Sequence, residues 1–361
     1  MQQINELNGM LNQYFGWHKA KMDCFVGMLF ALLQTRTVNL TQLAVGFPSK
    51  AKIESRYRRI QRFIHEGVDY DKFALFIMLL FGFTGEDFYL TIDRTNWKEG
   101  QEHINILMLA IVYKGTAIPV MWIVLNNKRG NSTMNQRIAL MKRFIKLFGK
   151  EHILGIFGDL EFIGGEWLAW LKSEGIDFHI RIKKDALVPN SRGKLVQAKS
   201  LFLFLKAGES IVFDKAKMMT GVEVYLAGMR LSTGELLIVA SGDFCSDAIS
   251  IYGKRWEIET LFGCLKSRGF KLEDTHITKR QRIKKLLLLP AIAFCWAHRT
   301  GEWQHEIKPI KVKKHERLAQ SLFRVGLDLL QDGLLNFTND LKSFATKFFQ
   351  FIEIKHNFLA T

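Results

Sequence analysis

The sequence predicts an α/β fold with helical flanks around a mixed sheet, and three observations carry that reading. Residues 1–80 have helical periodicity. Residues 88–183 run in the order three strands, helix, strand, helix, strand. Residues 186–245 change to short strands punctuated by Gly193, Gly208, Gly221 and Gly234. At 361 residues the chain is too long for one small domain. Its 48% hydrophobic and 24% charged content fits a folded globular protein.

In the first region, residues 22–33 form an apolar helix and residues 40–44 begin a short one that Pro48 stops. Ser49 is placed to cap a third helix. That helix is expected to carry Lys50, Lys52, Arg56, Arg58, Arg59 and Arg62 against Glu54, with Tyr57, Ile60 and Phe63 as its apolar seat. Two short helices around a tight turn, the second one basic, fit a helix-turn-helix that contacts DNA; a basic solvated face has the same composition. The apolar runs 73–83 and 286–296 are each about half the length that spans a bilayer, so they read as buried helices, with Pro290 expected to kink the second.

In the second region, residues 89–93, 104–113 and 118–125 read as an antiparallel meander. A helix follows at 134–148, a strand at 153–159, a helix at 165–173 closed by Glu174-Gly175, and a strand at 177–182. Strand candidates at 210–213, 222–229 and 236–240 make residues 186–245 a β-rich insertion. Helical pattern resumes at 246–266, and residues 318–330 and 341–351 are terminal helix candidates. The expected organisation is a helical DNA-end-binding domain at 1–80, a core in two parts at 86–185 and 246–300 around the insertion, and a C-terminal helical region at 301–361 for dimerisation or DNA contacts.

Lys and Arg number 51 and Asp and Glu 35, a formal charge of +16 that favours a polyanionic partner. Cys24, Cys245, Cys264 and Cys295 form no CxxC pair, so neither structural zinc nor a disulfide framework is expected, and reduced buried thiols are. No basic segment with an apolar core and cleavage site opens the sequence. The expectation is a cytoplasmic, nucleoid-associated protein with no membrane partner.

Three carboxylates carry the chemistry. Asp93 ends the apolar run 88–92, Asp159 ends 153–158, and Glu259 lies in the basic helical stretch 252–266. A carboxylate at a strand tip stands where ligands sit in open sheets, although a lone Asp there is more often a turn cap. Three converging carboxylates can hold hard divalent cations. In a chain this basic the matching substrate is a phosphodiester, and two ions about 3.5–4 Å apart could activate a water or 3′-hydroxyl and stabilise the leaving oxygen. Tyr252, Arg255, Glu259 and Lys266 follow at gaps of three, four and seven, which puts them on one broad helical face. Arg255 and Lys266 could grip phosphates beside the glutamate; the alternative is a salt-bridged surface helix seated on Ile258, Leu261, Phe262 and Leu265. Glu257, the competing acid, is phased away from both cations.

The pattern Tyr252-x2-Arg255-x3-Glu259-x6-Lys266 resembles the signature of bacterial insertion-sequence transposases of the cut-and-paste DDE type. Leu90-Thr-Ile-Asp93-Arg-Thr-Asn-Trp97 resembles their first catalytic segment and Gly158-Asp159-Leu-Glu-Phe162-Ile-Gly-Gly-Glu-Trp167 the second, and the likeness spans nearly the whole chain. The resemblance implies a ribonuclease-H-like core with Asp93, Asp159 and Glu259 as catalytic metal ligands. It implies Mg²⁺, with Mn²⁺ as a substitute and two ions per site, and a DNA-phosphate-binding role for Tyr252, Arg255 and Lys266. It further implies a homodimer on double-stranded DNA with terminal inverted repeats, nicking, a hairpin intermediate, and joining of the 3′-hydroxyl to target DNA. Leu160 stands where the family usually has Arg. A hairpin route uses aromatic residues to hold a flipped base. Trp97 is the candidate, and Phe213 or Tyr225 are possible stand-ins for an insertion tryptophan, which residues 186–245 lack. The other readings are a metal-dependent DNA nuclease without strand transfer, a non-catalytic DNA-binding regulator, and an RNA-processing enzyme.

Overall fold

The computed structural model describes residues 2–126, 130–314 and 316–335. They divide into two compact units, one of Met1–Thr84, Asn96–Ile104 and the chain from Phe262 onward, the other of Gly85–Thr95 and Asn105–Leu261. The helix expected at 341–351 lies outside the described residues.

The chain opens with α1 (Gln2–Phe15), α2 (Lys19–Thr35), α3 (Leu40–Gly46), α4 (Ile53–His65) and α5 (Tyr70–Phe81). Local chemistry sets several of these ends. The Asp69 carboxylate accepts from the Asp71 and Lys72 amides to start α5, and Gly82, at φ 66°, closes it in the left-handed region that glycine adopts without strain. The Asn39 side chain caps α3 in the same way. The cap expected of Ser49 is not made. Its hydroxyl accepts from the Ala51 amide within the turn, and α4 begins after Lys52 with no side-chain cap. Lys50 and Lys52 therefore precede the helix rather than ride on it. The inner face of α4, Ile60, Phe63 and Ile64, is buried, and Phe63 stacks on Phe25 of α2.

The sheet region runs β1 (Phe88–Glu99), β2 (Glu102–Tyr113), β3 (Thr116–Val124), α6 (Met134–Phe148), β4 (Ile153–Gly158), α7 (Gly165–Ser173) and β5 (Phe178–Arg181). After it come β6 (Leu187–Pro189), β7 (Leu195–Gln197), β8 (Ser210–Val212), β9 (Lys217–Met219), β10 (Val222–Arg230) and β11 (Leu236–Ser241). Strand order is β3-β2-β1-β4-β5-β11-β10-β8, with β9 on β10 and β6–β7 a separate ribbon. Strands β2 and β3 pair antiparallel, whereas β1–β4 and β4–β5 are parallel. Parallel pairs need long crossovers, and α6 and α7 supply them. This is the mixed α/β sheet that the strand–helix order predicts.

Three particulars depart from expectation. β1 does not end at Asp93 but continues to Glu99; its pairing with β4 stops at Thr91↔Phe157, so Asp93 lies just past the point where the two strands part. The β-rich segment 186–245 continues the core sheet, because β11 pairs antiparallel with β5. The helix expected over 246–266 is interrupted: α8 (Ala248–Gly253), a 3-10 turn at Lys254–Trp256, α9 (Glu257–Gly263) and a π-helical segment at Cys264–Arg268. A π segment widens the turn and shifts the phase of its own residues relative to the helix before it, so Lys266 no longer continues the face of Tyr252 and Glu259.

The chain returns to helices with α10 (Arg280–Leu286), α11 (Leu288–Ile307) and α12 (Leu322–Leu335). Pro290 does not kink a helix interior. It sits in the first turn of α11, and because it has no N–H for the Leu286 carbonyl, α10 and α11 separate at Leu287. α11 and α12 touch backbone to backbone: a Cβ at Gly301 would collide with the Leu322 carbonyl oxygen, and one at Gly326 with that of Ala297. Among the described residues no helix is long and apolar enough to cross a membrane.

Candidate active site

Each carboxylate reaches the second unit's site from a different kind of element. Asp93 stands on β1 beyond its pairing with β4. Asp159 follows β4 directly and begins a 3-10 turn, with the Phe162 amide donating to its carbonyl at 2.8 Å. Gly158 makes that turn possible: a Cβ there would come 2.8 Å from the Cβ of Phe162, which is fully buried. Glu259 is carried by α9, whose Ile258 and Leu261 are completely buried; the expected seat is formed. Glu257 points away as its phase predicts, accepting from the Tyr113 amide at 2.8 Å.

Arg255 brings the two ends of the set together. Its Nη2 donates to Glu259 Oε1 at 2.8 Å, and its Nη1 lies 3.5 Å from Asp93 Oδ2. The residue is 3% exposed, and its Nε has no hydrogen-bond partner. Asp159 Oδ1 is also buried without a hydrogen bond. Burial raises the Asp93 carboxyl to about 7; the Arg94 amide and Arg255 pull it down, and the nearby charges of Glu161 and Asp159 push it up. Tyr252 is buried, its hydroxyl donates to the Gly158 carbonyl at 3.4 Å, and burial raises its pKa. It anchors α8 to the end of β4 and leaves no hydroxyl free for a phosphate.

A second polar cluster lies directly behind these carboxylates. Arg94 Nε donates to Glu161 at 2.5 Å, Arg94 Nη1 to Asn105 Oδ1 at 3.0 Å, and the Arg94 amide to Asp93 Oδ1 at 2.7 Å. Arg137 of α6, buried, donates to Ser132 Oγ and to the Ser132 and Glu161 carbonyls, each at 2.8 Å. The part of β1 that follows Asp93 is thus tied to the turn after Asp159. The sequence holds a signal for this: an Arg one residue past the first aspartate and a Glu two past the second.

The remaining expected residues fall elsewhere. Lys266 and Trp97 belong to the first unit. Lys266 Nζ pairs with Glu273 at 2.7 Å, donates to the Asn96 carbonyl at 2.9 Å, and lies 6.0 Å over the Trp97 ring. Trp97 is 8% exposed, so in this conformation its ring is not offered to a base. Phe213 packs on Phe202, and Tyr225 on Phe244. The exposed indole beside the carboxylates is Trp256, 59% exposed with the Arg255 guanidinium 4.9 Å over its ring. It sits inside the Tyr252–Lys266 pattern, where attention to charge alone passes it over. Of the basic residues around α4, Lys50, Lys52, Arg58 and Arg62 are exposed. Arg56 is half-buried and donates to the Ala51 and Val45 carbonyls, and Arg59 to that of Ala20, so these two hold the turn.

A family profile described as Transposase DDE domain matches residues 85–296, the span that carries Asp93, Asp159 and Glu259. The chain belongs to the DDE transposase family. Among curated proteins, none matches it in sequence. Among solved structures the transposase is similar to a piggyBac transposase synaptic complex with hairpin DNA, at 12% identity and a TM-score of 0.42, with 98% of this chain and 83% of that chain covered. It is similar also to the C-terminal lobe of a budding yeast Argonaute, at 10% identity and a TM-score of 0.23, covering 67% and 53%. Neither likeness is close enough to decide anything about the site.

DDE transposases generally use divalent metal ions and act on DNA. Among the described residues no three His, Cys, Asp or Glu side chains are close enough together to enclose an ion. The donor chemistry nevertheless fits one: the candidate groups are hard carboxylate oxygens, Asp159 Oδ1 is buried with no hydrogen-bond partner, and Asp93 and Glu259 both already take a cation, the Arg255 guanidinium.

Proposed function

We propose that this transposase cuts DNA at the ends of an insertion element and joins the freed 3′-hydroxyls to target DNA, with Asp93, Asp159 and Glu259 as its metal-holding acids. The observation that carries this is Arg255, one buried guanidinium spanning Asp93 and Glu259, residues from elements far apart in the sequence. Bound Mg²⁺, two ions per site with Mn²⁺ as a substitute, would supply Lewis-acid stabilisation of the phosphodiester and an activated attacking hydroxyl. The chain's own groups do the rest. Burial lifts the Asp93 carboxyl to about 7, so an arriving ion would displace its proton and uptake would strengthen as pH rises through that value. Arg255 holds Glu259 in place and stands ready to meet a phosphate oxygen when the acids turn to other partners. Trp256 offers a stacking face for an unpaired base at a cut end, a role that supports a hairpin route.

The partners follow from the same reading: a homodimer engaging paired terminal inverted repeats, with Lys50, Lys52, Arg58 and Arg62 of the first unit meeting the end DNA and Lys266 positioning phosphate once freed from Glu273. The net charge of +16 supports residence on chromosomal DNA. A strand-transfer assay tests the proposal, using a duplex carrying the element's terminal repeat, a supercoiled target plasmid and Mg²⁺. Joined products at both ends of the insert are expected. Cleaved ends that never join would replace this reading with a nuclease, and no cutting with intact end binding would replace it with a DNA-binding regulator.

A further inference from the structure

The first unit contains a cleft of about 230 Å³ that none of the expected DNA-contacting cations lines. Tyr57, Gln61 and His65 of α4 form one wall, and the segment from Thr275 to Arg282, which enters α10, forms the other. The second wall is tied to other parts of the first unit. The Val38 amide donates to the Phe270 carbonyl at 3.0 Å and Asn39 Nδ2 to the Asp274 carbonyl at 3.3 Å; His276 Nδ1 is 2.9 Å from Glu99 Oε1.

The lining identifies what the cleft takes. It presents Lys279, Arg282, His65 and His276 and not one Asp or Glu. Ile64 and Ile277 are buried in its floor. Thr275 lines the cleft and is 2% exposed, and its buried hydroxyl has no hydrogen-bond partner. A buried hydroxyl is ordinarily paired, because leaving it unpaired costs free energy that a ligand oxygen would offset. Cations, a waiting donor and an apolar floor fit an anionic oxygen attached to a less polar body. The volume is below the roughly 300 Å³ at which sites for whole small molecules begin, so it suits one unit of a longer polymer. On α4 the next positions along, Arg58 and Arg62, are exposed, so a strand lying across the helix would meet them beside the cleft.

We propose that this cleft seats a backbone phosphodiester of the duplex bound by the first unit, with Thr275 and Lys279 as its chief donors. Duplex binding would then be built by α4 together with a segment more than 200 residues later in the chain, and not by the helix-turn-helix pattern alone. The inference rests on the reading of the chain as a DNA-end-cutting transposase, and wild-type cleavage of the same duplex reports on that reading separately.

The test is a binding titration of the full-length protein at fixed salt, using the terminal-repeat duplex and a scrambled duplex. Thr275→Val removes the hydroxyl but keeps shape and charge. It is expected to weaken binding about tenfold, the worth of one hydrogen bond to a charged group. Thr275→Ser should restore it, and Lys279→Gln should lower the salt slope by about one. Both duplexes should lose alike, since a phosphate carries no sequence. A scan of single methylphosphonates should find one position that costs the wild type more than it costs Thr275→Val, the remainder being the charge met by Lys279. Binding by Thr275→Val equal to wild type, with melting unchanged, would overturn the cleft and leave Lys279 as part of a diffuse basic surface. A loss confined to the terminal repeat would overturn the phosphodiester and make the cleft a reader of bases.

Discussion

Two arginine-centred clusters lie side by side in the second unit, built from the same groups and left in opposite states. Around Arg94, Glu161 and Arg137 the charged groups engage one another and their neighbours through short, multiple hydrogen bonds. Around Arg255 the set stays open: Asp159 Oδ1 and Arg255 Nε are buried with no hydrogen-bond partner, and Asp93 is lifted to about 7. A buried polar group without a partner is costly, and folded proteins carry few. Under the proposed function the difference separates scaffold from working site: the closed cluster fixes where the Asp93 strand and the Asp159 turn stand, and the open one is where an ion would be held.

The largest effects should come from neutralising the open cluster. Asp93→Asn, Asp159→Asn and Glu259→Gln should each bring end cleavage to background, measured by nicking of a labelled terminal duplex, while end binding persists. Thermal unfolding should show Asp159→Asn no less stable than wild type, because it removes a buried charge that has no full set of partners. A variant that melts early and still cuts would reverse the contrast. Arg255→Ala should cost about 3 kcal/mol of stability by urea titration, since it strands two carboxylates, and should also abolish cleavage. In the closed cluster, Glu161→Gln should lose roughly 2 kcal/mol and lower activity in proportion to the fraction unfolded, since it breaks hydrogen bonds to a charged group. Full cleavage loss with unchanged stability would make Glu161 part of the chemistry instead.

Lys285, in the first unit, sharpens the contrast because it too is buried, with no hydrogen bond at Nζ and only the Phe63 ring 5.2 Å beneath it. Burial holds its ammonium down to about 8, below the ordinary 10.5. The unfolded chain therefore binds more protons between those values, and stability rises as pH climbs through that window. Lys285→Met should stabilise the fold by roughly 2 kcal/mol at neutral pH and remove the rise, with cleavage unaffected. The smallest stability change belongs to Trp256→Ala, within about 0.5 kcal/mol as for an exposed site, yet it should reduce cleavage of the second strand more than of the first.

Much of this is legible in the sequence for physical reasons. Periodicity gives α6 and α7 with their observed limits, because both are bounded by strong stop signals, Thr133 and Gly149 for the first and Gly175 for the second. The three acids, Tyr252 and Arg255 all belong to the second unit. The features that escape the sequence depend on contacts distant along the chain. A strand that loses one partner and keeps another looks in sequence like a strand that ends, which makes Asp93 resemble a terminus. A π segment follows no apolar period of its own, so spacing alone puts Lys266 on a continuous face. Arg56 and Arg59 have the same charge as their exposed neighbours, and only the fold shows that their donors are engaged by backbone carbonyls. Trp97 and Trp256 are one residue type at two burial states that composition cannot distinguish.

The pairing of β5 with β11 has a consequence for the order in which this protein is made. A ribosome releases Asp93 and Asp159 long before Glu259, and residues 186–245 must emerge and complete the sheet before α8, which leads into α9, has β10 and β11 to pack on. A nascent chain, or one cut short within that segment, has two of its three acids and lacks the guanidinium that gathers them. Under the proposed function, synthesis itself is thus a safety interval: a fragment that ends before α9 lacks one of the three acids assigned to cutting.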